Sequence, residues 1–161
     1  MVTVVLAVVE DAGRFLLIEE SKARVRGKWN LPGGRVEAGE SLHEALAREV
    51  LEEADLEVEL SELLYMDQLA SHAADENRLR FVFRALPRTQ AIKLHADEHS
   101  LRARWVERAE LPLLPLRNSL VSQMIEVATT TRSGLPMANV RLMSLREREH
   151  ERVEEERLVN P

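Results

Sequence analysis

"GRVEAGESLHEALAREVLEEADL", Gly34 to Leu56, decides how the chain is read. Ser41 stands as a helix N-cap, and Glu44 three residues later completes a capping box. A helix from Leu42 to Ala54 is therefore expected. Projected at about 100° per residue, Leu42, Leu46, Val50, Ala54, Ala47 and Leu51 cover one broad arc. Glu44, Arg48, Glu49 and Glu52 cover the other, but Glu53 falls inside the apolar arc. A charge on a core-facing side is expensive unless it is paired or binds a metal. Glu49, Glu52 and Glu53 also stand at i, i+3 and i+4, where like charges oppose helix formation by roughly 0.2–0.5 kcal/mol per pair. A solvated acidic face is the plain alternative for such a row. Asp55 stands where a helix usually ends on glycine. It is expected to hold a left-handed turn with modest strain, or to add a carboxylate near the row.

Upstream, Val2–Val9 reads as a strand, Glu10–Gly13 as a turn and Arg14–Glu19 as a second strand, which makes a hairpin. The run Val2–Val9 is valine-rich and has no basic segment before it, so it reads as a buried strand and not as a signal peptide. "SKARVRGKWN" is a basic loop, and Pro32–Gly34 punctuates the backbone before the helix. Downstream, strands are expected at Leu56–Leu60, Leu63–Gln68, Leu79–Leu86 and Leu101–Glu107. A short turn at Arg108–Leu111 leads to an amphipathic helix, Ser119–Thr131, with Leu120, Val121, Met124, Ile125 and Ala128 inward. One early and one late helix around mixed strands imply an α+β sandwich with a helix on each face. The expected division is a domain over 1–140 and a charged helix or tail over 141–161, which could serve as an oligomer arm in a homodimer.

The bulk numbers bound the function. The chain has 161 residues, 45% hydrophobic and 31% charged, a balance that supports one globular core. A net charge of −6 argues against a nucleic-acid polymer as partner. With no cysteine, disulfides and thiolate zinc sites are excluded. No apolar run approaches a membrane span, and a soluble cytoplasmic protein is expected.

Carboxylates gathered on one helical face make a hard-oxygen site suited to Mg²⁺ or Mn²⁺. Such an ion takes substrate phosphate oxygens, and phosphates need countercharge. The basic loop carries Lys22, Arg24, Arg26 and Lys28, candidates for phosphate contact, although an ordinary hairpin connection reads the same way. Gly33-Gly34 permits close backbone approach. Together these features point to metal-assisted hydrolysis of a phosphoanhydride.

Gly34, Glu40, Arg48-Glu49-Val50, Glu52-Glu53 and Leu56 stand at the spacing of the Nudix box, G-x5-E-x7-R-E-U-x-E-E-x-G-U, where U is bulky and apolar. The chain resembles this family from about Val2 to Thr131, with "WNLPGG" also typical and only the final glycine replaced, by Asp55. The resemblance implies a Nudix-type α/β/α sandwich with a loop–helix–loop that binds a divalent metal. It implies hydrolysis of a nucleoside diphosphate linked to another moiety. By position it makes Glu49, Glu52 and Glu53 the metal ligands, joined by the Gly34 carbonyl, with Glu49 or Glu53 activating water. It makes Glu40 and Arg48 the residues that orient those ligands. Relatives add an acidic residue from a loop before the last strand, for which Glu98 is the candidate and Asp97 the next. "LRARWVERAELPLLPLRNSLV" is similar to a bacterial Nudix phosphatase type acting on nucleoside di- and triphosphates and thiamine-precursor pyrophosphates. It also resembles a human relative acting on oxidised guanine nucleoside diphosphates, both likenesses being looser than that of the box. Asn118 reads as an N-cap of the last helix, or as a reader of a base edge, as in some relatives. Trp29 and Trp105 read as structural, Phe81 and Phe83 as one strand face, and the histidines as surface residues. The expected activity is metal-dependent cleavage of a small-molecule diphosphate. The alternative is a Nudix-fold nucleotide-binding or regulatory domain without turnover.

Overall fold

The computed structural model describes residues 1–70, 77–131 and 134–136. The expected charged segment 141–161 lies outside them. Among the described residues the elements run β1 (Val2–Asp11), β2 (Arg14–Glu20), β3 (Trp29–Asn30), β4 (Gly33–Arg35), α1 (Leu42–Ala54) and β5 (Val58–Leu69). They continue with β6 (Arg78–Pro87), β7 (Ser100–Glu107), a 3-10 turn (Arg108–Leu113), α2 (Leu120–Thr130) and β8 (Leu135–Pro136).

β1 is the axis. It pairs in parallel with β6 from Val2↔Arg78 to Val9↔Ala85, and antiparallel with β4 through Val4↔Arg35 to Leu6↔Gly33. β5 runs antiparallel to β6 and carries β8 on its other edge. β2 leaves β1 after the short hairpin register Glu10↔Phe15 and Asp11↔Arg14, then pairs with β3 and β7. Ala12 and Gly13 turn that hairpin with positive φ (49° and 78°). This two-residue turn matches the strand twist and is tighter than the four-residue turn expected.

A strand in the middle of a sandwich must be apolar on both faces, and β1 is. Val5, Ala7 and Val9 face the α1 side, where they meet Leu46, Val50 and Phe83. Leu6 and Val8 face the α2 side with Val121, Met124 and Ile125. The structure is thus the expected α+β sandwich, one helix on each face.

Three local expectations change. The two strands expected between Leu56 and Gln68 are one strand, β5, whose irregularities at Leu60/Glu62 and Leu63/Tyr65 absorb extra residues without a turn. Leu51, placed on the apolar arc, is 49% exposed, while Ala45 is buried. The buried arc of α1 is centred near Leu46 and Glu53, which leaves Leu51 on its far edge. The short strands β3 and β4 fall in stretches read as loop and punctuation, because only their pairing with β2 and β1 makes them strands.

Candidate active site

Of the glycines before α1, Gly33 is required by backbone contact and Gly34 leaves room for the Glu49 side chain. Gly33 has φ +142°, and a Cβ there would collide with the Val5 carbonyl on β1. A Cβ on Gly34 would collide with the Glu49 carboxylate. The loop therefore lies flat on the sheet on one side and against a helix carboxylate on the other. The Gly33 N–H donates to Glu53 Oε2 at 2.8 Å.

α1 enters this contact through its expected capping box, with Ser41 Oγ and the Glu44 carboxylate accepting reciprocally. Arg48 then joins the preceding turn to the helix. Its Nε and Nη2 reach the two oxygens of Glu40 at 2.7 and 2.9 Å. Nη2 also reaches the Arg35 carbonyl at 3.0 Å. Nη1 lies 3.1 Å from Glu49 Oε1 and 3.2 Å from Glu52 Oε2. The Arg48 hydrogen bonds hold the Glu40 carboxyl below its ordinary range, and Glu40 in turn keeps Arg48 charged.

Burial acts the other way on two glutamates. Desolvation raises the Glu49 carboxyl against the pull of Arg48. Glu53 is only 5% exposed. Burial pushes it up to about 8, opposed by the Gly33 N–H and assisted by the nearby charges of Glu49 and Glu20. The charged residue projected onto the core-facing arc is therefore buried there in fact.

Glu20 was not anticipated. It is buried at the end of β2, accepts from Asn30 Nδ2 at 2.9 Å, and is bonded by Arg117 Nη1. The 115–117 segment is strapped to β3 by Trp29 N–H to Pro115 O and Arg117 N–H to Trp29 O. A signal was available: Glu20 continues the inward alternation of Leu16 and Ile18. Lys93 and Ser100 were also missed, and no periodicity flags them. Lys93 Nζ reaches the Glu52 carbonyl at 2.7 Å and Asp97 Oδ2 at 2.5 Å, and Ser100 Oγ donates to the Glu53 carbonyl at 2.6 Å.

The loop acids are placed differently from one another. The Glu98 side chain is 88% exposed, and its nearest ionic neighbour is His99 Nε2 at 3.7 Å. Asp97 is committed to its own loop, and Lys93 holds its carboxyl well below the usual range. The side chain this loop turns toward the glutamates is His99, with Nδ1 3.7 Å from Glu52 Oε2. Arg24, Arg26 and Lys28 are exposed, and Arg26 Nη1 folds back on the Ser21 carbonyl. Asn118 is exposed, and its Oδ1 accepts the Leu120 N–H at 3.0 Å, a capping contact at the start of α2. Trp29 is buried in the α2-side core, Trp105 is half-buried beside Arg14, and Phe81 stacks on Phe83. Asp55 adopts the left-handed conformation at φ 54°, ψ 30°, and its N–H closes on the Leu51 carbonyl.

Glu49, Glu52 and Glu53 with the Gly34 carbonyl, the ligands the resemblance implies, would make an all-oxygen donor set, a chemistry suited to Mg²⁺ or Mn²⁺. Among the described residues no three histidine, cysteine or acidic side chains are gathered closely enough to hold an ion as they stand. The reason is visible: Arg48 Nη1 draws Glu49 and Glu52, and the Gly33 N–H holds Glu53. These are the contacts a cation would compete with, so the residues fit the group in chemistry.

The NUDIX domain model matches residues 1–126, and the chain belongs to that family. It is 42% identical over 132 residues to the human 8-oxo-dGDP phosphatase NUDT18, covering 80% of this chain and 39% of that protein. The chain thus spans about two fifths of that relative's length. It is 36% identical over 126 residues to Phosphatase NudJ of Escherichia coli O1:K1, covering 75% of this chain and 78% of that one. A NUDIX hydrolase structure from Nitrosomonas europaea matches with a TM-score of 0.75 at 28% identity, over 87% of this chain and 95% of its own.

Proposed function

We propose that the chain is a divalent-metal-dependent hydrolase of a phosphoanhydride bond in a nucleoside di- or triphosphate, or in a similar small diphosphate. The observation that carries this is the buried Glu53 beside Glu49 on a helix face pressed against Gly33-Gly34. Two desolvated carboxylates so close make poor structural partners and good cation ligands. The printed names of NUDT18 and NudJ, both phosphatases, support the reaction class.

Glu49, Glu52 and Glu53 would hold the ion, with the Gly34 carbonyl beside them. When bound, Mg²⁺ or Mn²⁺ neutralises the diphosphate and makes a water acidic enough to attack. The chain's own residues do the rest. Glu40 and Arg48 fix the turn and the orientation of the ligand carboxylates. Glu53, or Glu49, accepts the proton of the attacking water. Lys22, Arg24, Arg26 and Lys28 of the exposed basic loop are the residues that would meet phosphate.

The test is a panel of nucleoside di- and triphosphates with Mg²⁺, reading orthophosphate and pyrophosphate separately. Release from at least one member, lost in EDTA, is expected. Tight metal-independent nucleotide binding with no release from any member would instead establish a binding domain.

A further inference from the structure

The last carbonyls of a helix have no intrahelical partner. In α1 all of them are taken. Leu51 O receives the Asp55 N–H at 2.9 Å and Ala54 O the Lys93 N–H at 2.9 Å. Glu52 O receives Lys93 Nζ, and Glu53 O receives Ser100 Oγ. Three of these four donors come from far away in sequence, two from Lys93 in the connection between β6 and β7 and one from Ser100 at the start of β7.

The connection is itself locked. The Lys93 side chain is fully buried, and its carbonyl accepts the Ala103 N–H at 2.8 Å. Asp97 pairs with Lys93 Nζ and accepts the N–H groups of His99 and Ser100 at 2.8 and 3.1 Å. Asp97 N–H returns to the Ser100 carbonyl at 2.9 Å. The Ser100 hydroxyl is thereby aimed at one carbonyl.

A cation near a helix C-terminus is favourable anywhere on the surface. Burying a whole lysine and ordering it costs more than that purpose requires. What distinguishes this arrangement is which carbonyls are gripped: those of Glu52 and Glu53. A shift of the last helical turn would move both carboxylates relative to Gly33-Gly34.

We propose that Lys93, Asp97 and Ser100 are positioning residues: their clasp on the backbone of Glu52 and Glu53 sets where those carboxylates stand. The proposal rests on reading Glu49, Glu52 and Glu53 as the metal ligands. It gives the β6–β7 connection and the start of β7 a role in metal affinity in which no carboxylate of theirs touches the ion.

The experiment titrates Mn²⁺ calorimetrically into the substrate-free full chain, well below the metal-free thermal midpoint of each variant. Glu52→Gln is the reference that establishes the site. Ser100→Ala removes one oxygen, and Lys93→Met keeps the stem without the donor. Each clasp variant is expected to weaken Mn²⁺ binding by about 10-fold, the lower end for groups that orient ligands. Turnover should fall with KM nearly unchanged. A lower thermal midpoint with wild-type Mn²⁺ affinity and turnover would overturn the proposal and leave the clasp a plain helix cap. Should Lys93→Met fail to fold, Ser100→Ala decides alone. If the wild type takes up no Mn²⁺, or Glu52→Gln binds it normally, the metal site itself is misplaced and the clasp falls with it.

Discussion

The two helices cover opposite faces of one sheet and are built to different ends. α2 buries Val121, Met124, Ile125 and Ala128, and its C-terminal carbonyls at Ala128 and Thr131 are bonded by Arg84. α1 buries Ala45, Leu46, Val50 and Ala54, and with them Glu53. α1 is also held at both ends, by a capping box at Ser41 and by Lys93 and Ser100 at its C-terminus. The contrast teaches where the fold accepts an unfavourable group. α2 is fastened at both ends as well, by Asn118 and Arg84, but covers apolar surface, whereas α1 carries a desolvated carboxylate.

The largest effect that separates the two helices is catalytic. Glu52→Gln or Glu53→Gln should lower turnover at least ~100-fold, since losing about 2.7 kcal/mol of transition-state stabilisation gives that factor. Circular dichroism should show the fold intact. Wild-type turnover in both variants would move the site elsewhere. The mirror experiment is Ile125→Ala on α2. It should cost about 2–5 kcal/mol of stability through the lost side chain and the cavity, read by urea unfolding. Turnover of the folded fraction should be unchanged.

A smaller effect follows from charge. In the metal-free protein Glu53 sits at about 8, against about 4.3 for an unfolded glutamate. A carboxyl raised in this way stabilises the fold at low pH, and that contribution is lost as pH rises through 8. Glu49 shifts in the same direction. The thermal midpoint in EDTA should therefore be lower at pH 8.5 than at pH 6. Replacing Glu53 with Gln should flatten the difference; an unchanged slope would show that Glu53 is not its source. The smallest effect is at Asp55. Asp55→Gly relieves the left-handed turn, worth less than about 1 kcal/mol, and should leave turnover alone. A large loss of activity there would give Asp55 a part in the site.

The legible parts of this protein are those fixed by neighbours in sequence. Ser41 and Glu44 mark the start of α1, and the wheel put Glu53 on the wrong side for a charge. Both features follow from helical geometry alone. Asp55 was legible because few residues besides glycine reach its φ and ψ. Contacts made across the fold were not legible. Lys93 grips α1 from a connection some forty residues later, in a stretch with no periodic pattern. β3 and β4 are strands only because β2 and β1 lie beside them. Glu98 followed from the resemblance to relatives with an acidic residue in this loop, but the loop places His99 toward Glu52 and Glu98 toward solvent.

The central claim is that a divalent cation belongs among Glu49, Glu52 and Glu53. The thermal midpoint of the wild type and of Glu53→Gln, each measured in EDTA and across millimolar Mg²⁺ and Mn²⁺, tests it without any substrate. At about 100 times Kd a bound ion adds roughly 2.7 kcal/mol. The wild-type midpoint should climb steadily with metal concentration, and the variant should respond weakly. A wild-type midpoint indifferent to both metals would contradict the account.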